Sequence, residues 1–251
     1  MVIKKVLLLG GTGRIGPGFI EEYEKNYSKK YDLILGYHTK KPKSKLKSIK
    51  VDISNINSLK KAMKGISVVI NLAANSNADA KFEEVLMPNI VGAYNVFKAA
   101  KESKIKRVIF ASSIHAVKGY SEKHKIKSDD SPKPSDFYGA SKAFGESLCF
   151  VFSKKYNLSC LAIRIGAYVS NDMQKSICYS REDYGHVISQ RDFGQLIHKA
   201  IMAPEKIKYG ILHGVSKNQH SHLNLKETKK LVGYNPKDDA YKICKVIKLK
   251  K

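Results

Sequence analysis

Tyr138 and Lys142 stand four residues apart in the stretch Tyr138-Gly139-Ala140-Ser141-Lys142. On a helix that spacing puts both side chains on one face. An ammonium beside a phenol favours phenolate and lowers its pKa from about 10 toward working pH. Tyr138 could then take a proton from a hydroxyl. Ser113 lies 25 residues upstream, where the apolar run Arg107–Ser112 ends, and could hydrogen bond the reacting oxygen. A Tyr-x-x-x-Lys pair by itself is as well an exposed helix pair; its place after a strand ending Ala111-Ser112-Ser113 makes it a catalytic candidate.

A second signal sits at the start of the chain, where Val6 to Leu9 feed into Gly10-Gly11-Thr12-Gly13-Arg14-Ile15-Gly16. A strand that ends in glycines and opens into a helix aims backbone N–H groups at one spot, at the positive end of the helix dipole. Without a Cβ in the way, a pyrophosphate can approach. Gly10, Gly13, Arg14, Ile15 and Gly16 are therefore read as a dinucleotide turn, and Lys142 as a group that can also hold the ribose of a nicotinamide cofactor.

These residues need a scaffold. Apolar or β-branched runs at Ile3–Leu9, Leu33–Tyr37, Ser67–Leu72, Arg107–Ser112 and Leu158–Ile165 read as buried parallel strands. Periodic segments at Ile15–Tyr27, Leu59–Lys64, Phe82–Ser103 and Tyr138–Tyr156 read as the helices between them. The alternation predicts an α/β fold, a Rossmann-type doubly wound parallel sheet. Ligands in such sheets bind beyond the carboxyl ends of the strands, where Gly10, Leu72, Ser112 and Ile165 all fall. Residues 1–165 are assigned to the dinucleotide-binding core and 166–251 to a small substrate-covering region of the same domain. That region is expected to hold a helix near Phe193–Met202, a strand near Gly210–His213 and a helix near Leu225–Val232.

Composition narrows the classes. The chain has 251 residues, 43% of them hydrophobic, enough for one such domain. Its net charge of +24 comes mostly from Lys spread along the length, without the arginine and aromatic interleaving of a nucleic-acid reading surface, so no nucleic-acid partner is expected. Neither a signal peptide nor a membrane span is recognised, and the protein reads as cytoplasmic. Cys149, Cys160, Cys178 and Cys244 show no metal or disulfide spacing and are expected to be reduced thiols, with no metal site.

With these residues in hand, the chain resembles the extended short-chain dehydrogenase/reductase family, also described as NAD-dependent epimerases and dehydratases, over nearly its whole length. Within it, the chain looks like the uronate dehydrogenases and related sugar dehydrogenases. The resembling segments are Phe110-Ala111-Ser112-Ser113-Ile114-His115, Tyr138 to Glu146, Arg164-Ile165-Gly166 and Gly233-Tyr234-Asn235-Pro236-Lys237-Asp238. The resemblance implies oxidation of a pyranose C1 hydroxyl to a lactone, with Ser113, Tyr138 and Lys142 as the catalytic set and Ser76, Ser113 and His115 holding the sugar. It further implies cofactor contacts at Asp52, Ile53, Leu72, Ala73, Ala74, Asn89 and Ile165, and a homodimer formed through the long helices.

Some positions depart from the subgroup. Ile114 stands where it has an asparagine and Ala167 where it has a serine. The downstream arginine that would pair with a uronate carboxylate has no clear counterpart, Lys175 and Arg181 being the nearest cations. A free aldose or a sugar phosphate is then as plausible as a uronate, because lysine serves a phosphate better than it clamps a planar carboxylate. After the second strand the chain reads Gly36-Tyr37-His38-Thr39-Lys40-Lys41, with no carboxylate for the ribose hydroxyls. His38, Lys40 and Lys41, with Arg14 close by, favour NADP, while NAD stays possible. Two other readings are a nucleotide-sugar epimerase or dehydratase, which would need a nucleotide pocket beyond Gly166, and a non-catalytic NADP-binding sensor or scaffold.

Overall fold

The computed structural model describes residues 3–173, 178 and 184–249. Five of its strands match the apolar runs: β1 (Lys5–Leu9), β2 (Asp32–Tyr37), β4 (Val68–Asn71), β5 (Arg107–Ser113) and β6 (Ser159–Ile165). Two more, β3 (Ser48–Lys50) and β9 (Tyr209–Gly214), complete a sheet of order β3-β2-β1-β4-β5-β6-β9 whose pairings are all parallel. The expected doubly wound architecture is thus what the chain adopts. Successive side chains on β1 point to opposite faces. Val6 and Leu8 pack with Phe19 and Ile20 of α1 (Gly16–Asn26), and with Phe193 and Leu196 of α6 (Gln190–Met202). Leu7 and Leu9 enter the opposite layer, built with α2 (Ile56–Ala62), α4 (Gly92–Glu102) and α5 (Phe137–Tyr156). Burial on both faces is why these strands read as unbroken apolar runs.

The helix expected over Phe82–Ser103 is not continuous. It consists of α3 (Phe82–Val85), a wide π turn over Leu86–Val91, and α4. Pro88 has no N–H to give to an α-helical ladder, and the wider turn brings Asn89 inward, where it is buried. Beyond Ile165 the sequence understates the order. The expected helices α6 and α7 (Lys226–Val232) and strand β9 are present, but Ala167–Val169 (β7) and Val187–Ser189 (β8) form a further parallel pair and α8 (Ala240–Leu249) a further helix.

The reading of all four cysteines as reduced thiols is corrected. Cys178 and Cys244 are joined by a disulfide with their Cα atoms 5.0 Å apart, while Cys149 and Cys160 are free and buried. The bonded pair is 66 residues apart in sequence. No local spacing can announce it, because only the folding of α8 against the segment around Tyr184 and Val187 brings the sulfurs together.

Candidate active site

β1 sits between β2 and β4, so the chain order reverses beside it and leaves a crevice beyond its carboxyl end. Gly10 opens the crevice with φ +82, a left-handed conformation that glycine adopts freely, and a Cβ there would lie 2.7 Å from the Ala73 nitrogen. At Gly13 a Cβ would meet only the Gly10 carbonyl, at 3.4 Å, so the backbone there is open to a ligand. No side chain caps the first turn of α1. Its amides are left for an anion, as a dinucleotide pyrophosphate requires.

Two clefts meet at this turn, sharing Gly10, Gly13, Leu72 and Ala74. One, of about 570 Å³, continues past Tyr37, His38, Asp52, Ile53 and Ala73. Asp52 turns its carboxylate on Ser54, accepting from the backbone N–H at 2.8 Å and from the hydroxyl at 2.7 Å; these bonds hold its pKa below the ordinary carboxylate value. Of the basic residues expected to face a 2′-phosphate, His38 lines this cleft. Lys40 and Lys41 are exposed on the loop beyond and do not line it, and Arg14 lies on the other side. Gly16 lines neither cleft. Its role is packing, since a Cβ would lie 2.4 Å from the Gly11 carbonyl.

The second cleft brings together Arg14, Ile15, Ser76, Ser113, His115, Tyr138, Lys142 and Ile165. Ser113 is the last residue of β5 and Ile165 the last of β6, directly paired in the sheet. Tyr138 and Lys142 enter from the first two turns of α5, started by Asp136, whose Oδ1 accepts the Gly139 N–H at 2.6 Å. The catalytic candidates therefore converge although 29 residues separate Ser113 from Lys142 in sequence. Lys175 and Arg181 lie outside the described residues. Asn89 lines neither cleft. Its amide bonds the backbone of Asn75 at 2.7 and 2.9 Å and the Ser141 hydroxyl at 2.9 Å, tying the wall of the first cleft to α5.

The electrostatics differ from the sequence expectation in one respect. Burial dominates at Tyr138 and holds the phenol above its ordinary pKa; the Ser113 hydrogen bond pulls it back, Asp136 pushes it up and Arg14 pulls it down. Lys142, expected to be the lowering charge, is itself buried, with its ammonium 5.4 Å from the centre of the Tyr138 ring and 5.3 Å from that of Phe110. Burial lowers its pKa to about 8. Both groups are shifted toward their neutral forms because burial penalises the charged form of each.

Sequence reasoning missed Asp136, which bonds His115 (Nδ1 to Oδ2, 2.7 Å), and Asn75. A helix-capping aspartate two residues before the tyrosine was the available signal. A larger cavity of about 1110 Å³ opens on another side of α5, around Phe150, Tyr209 and Lys230. Its lining includes Arg164 and Glu146, already bonded to each other at 2.9 Å through both carboxylate oxygens, and none of the catalytic candidates.

The chain is 27% identical over 253 residues to the L-arabinose 1-dehydrogenase (NAD(P)(+)) of Haloferax volcanii, covering 94% of this chain and 97% of that protein. It is 29% identical over 250 residues to the NAD-dependent glucose-6-phosphate dehydrogenase of the same organism, covering 94% of each, and 29% identical over 193 residues to the uronate dehydrogenase of Pseudomonas putida, covering 76% of this chain and 68% of that one. The crystal structure of uronate dehydrogenase from Agrobacterium tumefaciens superposes with a TM-score of 0.82 at 24% identity, covering 100% of this chain and 91% of that one, a likeness of fold. The profile of the NAD dependent epimerase/dehydratase family matches residues 6–190, and the chain belongs to that family.

Proposed function

We propose that this protein is an NAD(P)-dependent sugar dehydrogenase that oxidises the C1 hydroxyl of a pyranose to a lactone. One observation carries the reading: Ser113, Tyr138 and Lys142 line one cleft that opens directly onto the glycine turn, the Lys142 ammonium 5.4 Å from the centre of the Tyr138 ring. Tyr138, as phenolate, takes the proton of the C1 hydroxyl, which Ser113 holds in place. Gly10, Gly13, Ile15 and Leu72 would hold a nicotinamide cofactor, which would supply the acceptor for the hydride that C1 loses. Lys142 binds the nicotinamide ribose, and its ammonium stabilises the phenolate once ligands have expelled water. Ser76 and His115 orient the sugar, and the segment after Ile165 covers it. The test is a screen of aldoses, uronates and sugar phosphates for reduction of NAD and NADP, followed by nicotinamide absorbance; no reduction with any sugar would overturn the reading. Isomerised nucleotide sugar without net reduction would point to an epimerase instead.

For the cofactor we favour NADP. No carboxylate follows β2 to repel a 2′-phosphate, and His38 lines the cleft, with the exposed Lys40 and Lys41 following on the same loop. Contacts so exposed are screened by salt. The advantage of NADP over NAD in calorimetric titration should accordingly shrink as salt rises, and equal or tighter binding of NAD at low salt would refute the preference. We also propose a homodimer through α4 and α5, whose Tyr94, Phe150, Val151 and Tyr156 are exposed. Sedimentation at micromolar concentration tests it.

A further inference from the structure

His115 lines the catalytic cleft from a short 3-10 turn after β5, and Asp136, the cap of α5, meets it from behind the lining. Both oxygens of the Asp136 carboxylate are committed: Oδ1 accepts the Gly139 N–H at 2.6 Å and Oδ2 meets His115 Nδ1 at 2.7 Å. The approach is possible because residue 139 is glycine; a Cβ there would lie 2.3 Å from the His115 carbonyl. An ionised carboxylate only accepts hydrogen bonds, so Nδ1 carries the proton, and in a neutral imidazole Nε2 is then an acceptor. Nε2 has no partner among the described residues, and the ring lies edge-on to Tyr138, centroids 5.4 Å apart, in the lining of the cleft.

We propose that Asp136 is a positioning residue that sets substrate preference, holding His115 with its proton on Nδ1 so that Nε2 accepts a hydrogen bond from a ring hydroxyl of a neutral sugar. The inference rests on the sugar dehydrogenase reading and narrows it toward aldoses, since a lone pair at that place repels a carboxylate.

The test is D136N. The new amide keeps an oxygen for the Gly139 N–H and presents an NH2 to Nδ1, so the ring must move its proton to Nε2 and become a donor toward the substrate. The KM of a neutral aldose should rise about ten- to hundredfold, the scale of a mismatched buried hydrogen bond. The KM of the corresponding uronate should stay level or fall. The ratio between the two sugars decides, because Asp136 also bears on the Tyr138 phenol and kcat for both will move together. Nitrogen NMR should find the His115 proton on Nδ1 in the parent and on Nε2 in D136N. A parent with Nε2 protonated, or a variant that raises both KM values alike, overturns the proposal. A parent that oxidises no sugar overturns the enzymatic reading instead, and the NMR result still upholds or overturns the tautomer. Should D136N melt early, D136S, whose hydroxyl also caps a helix but no longer holds the proton on Nδ1, should raise the KM of the aldose relative to that of the uronate in the same direction by less, and an unchanged ratio overturns the proposal.

Discussion

Lys142 is costly to the fold that holds it. Burial lowers its ammonium from 10.5 to about 8, which corresponds to about 3 kcal/mol against the folded protein at neutral pH. Lys142→Met keeps an unbranched chain of similar length against the Phe110 ring and removes the charge. The variant should therefore be the more stable protein without ligands, by about 2–3 kcal/mol, a rise in melting temperature on the order of 5–10 °C for a chain of this size. The sign with pH follows from proton binding. Below about pH 8 folded and unfolded chains both hold the proton and the full cost is present. Between about 8 and 10.5 the unfolded chain holds a proton that the folded chain has shed, so the parent gains stability as pH rises, and above that range the cost is gone. Urea unfolding of both proteins at about pH 7, 9 and 10.5 reads the difference directly, since titration of the other lysines is common to both. The gap should be widest at the lowest pH and close at the highest. A variant less stable than the parent at pH 7, or a gap that does not narrow, would show that Lys142 is not held against its charge. Turnover and cofactor affinity should both fall in the same variant, a trade of stability for activity.

Tyr138→Phe should lower kcat about a hundredfold or more while cofactor affinity by calorimetry stays within a few fold, because the phenol is the only group changed; near-normal turnover would end its assignment as the base. In the parent, kcat should rise with pH through the alkaline range, since burial holds the phenol protonated at neutrality. Glu146→Ala should cost about 3–5 kcal/mol in thermal unfolding, because it strips the buried Arg164 guanidinium of bonds to both carboxylate oxygens and the Ser112 hydroxyl of its acceptor at 2.6 Å. A loss under about 1 kcal/mol would mean that the carbonyls of Lys127 and Asp130 suffice for that arginine.

What the sequence determines here is local and periodic. The apolar strands, buried on both faces, and the glycine turn of Gly10 to Gly16 carry their structure in consecutive residues, so the parallel sheet and its crevice are legible without coordinates. The Tyr138/Lys142 spacing is legible for the same reason, a single helical turn. Tertiary structure decides whatever depends on residues distant in the chain. The register of β5 against β6 and the start of α5 bring Ser113 to Tyr138 and Asp136 to His115. Pro88 lies in a helical pattern, but the outcome, a π turn that carries Asn89 inward to Asn75 and Ser141, depends on packing against α5. Folding of α8 pairs Cys178 with Cys244 across 66 residues that share no motif. The charges behave likewise. Four-residue spacing places an ammonium near a phenol, yet whether it lowers the phenol pKa depends on how much water the fold leaves around them, and here burial outweighs the neighbouring charge.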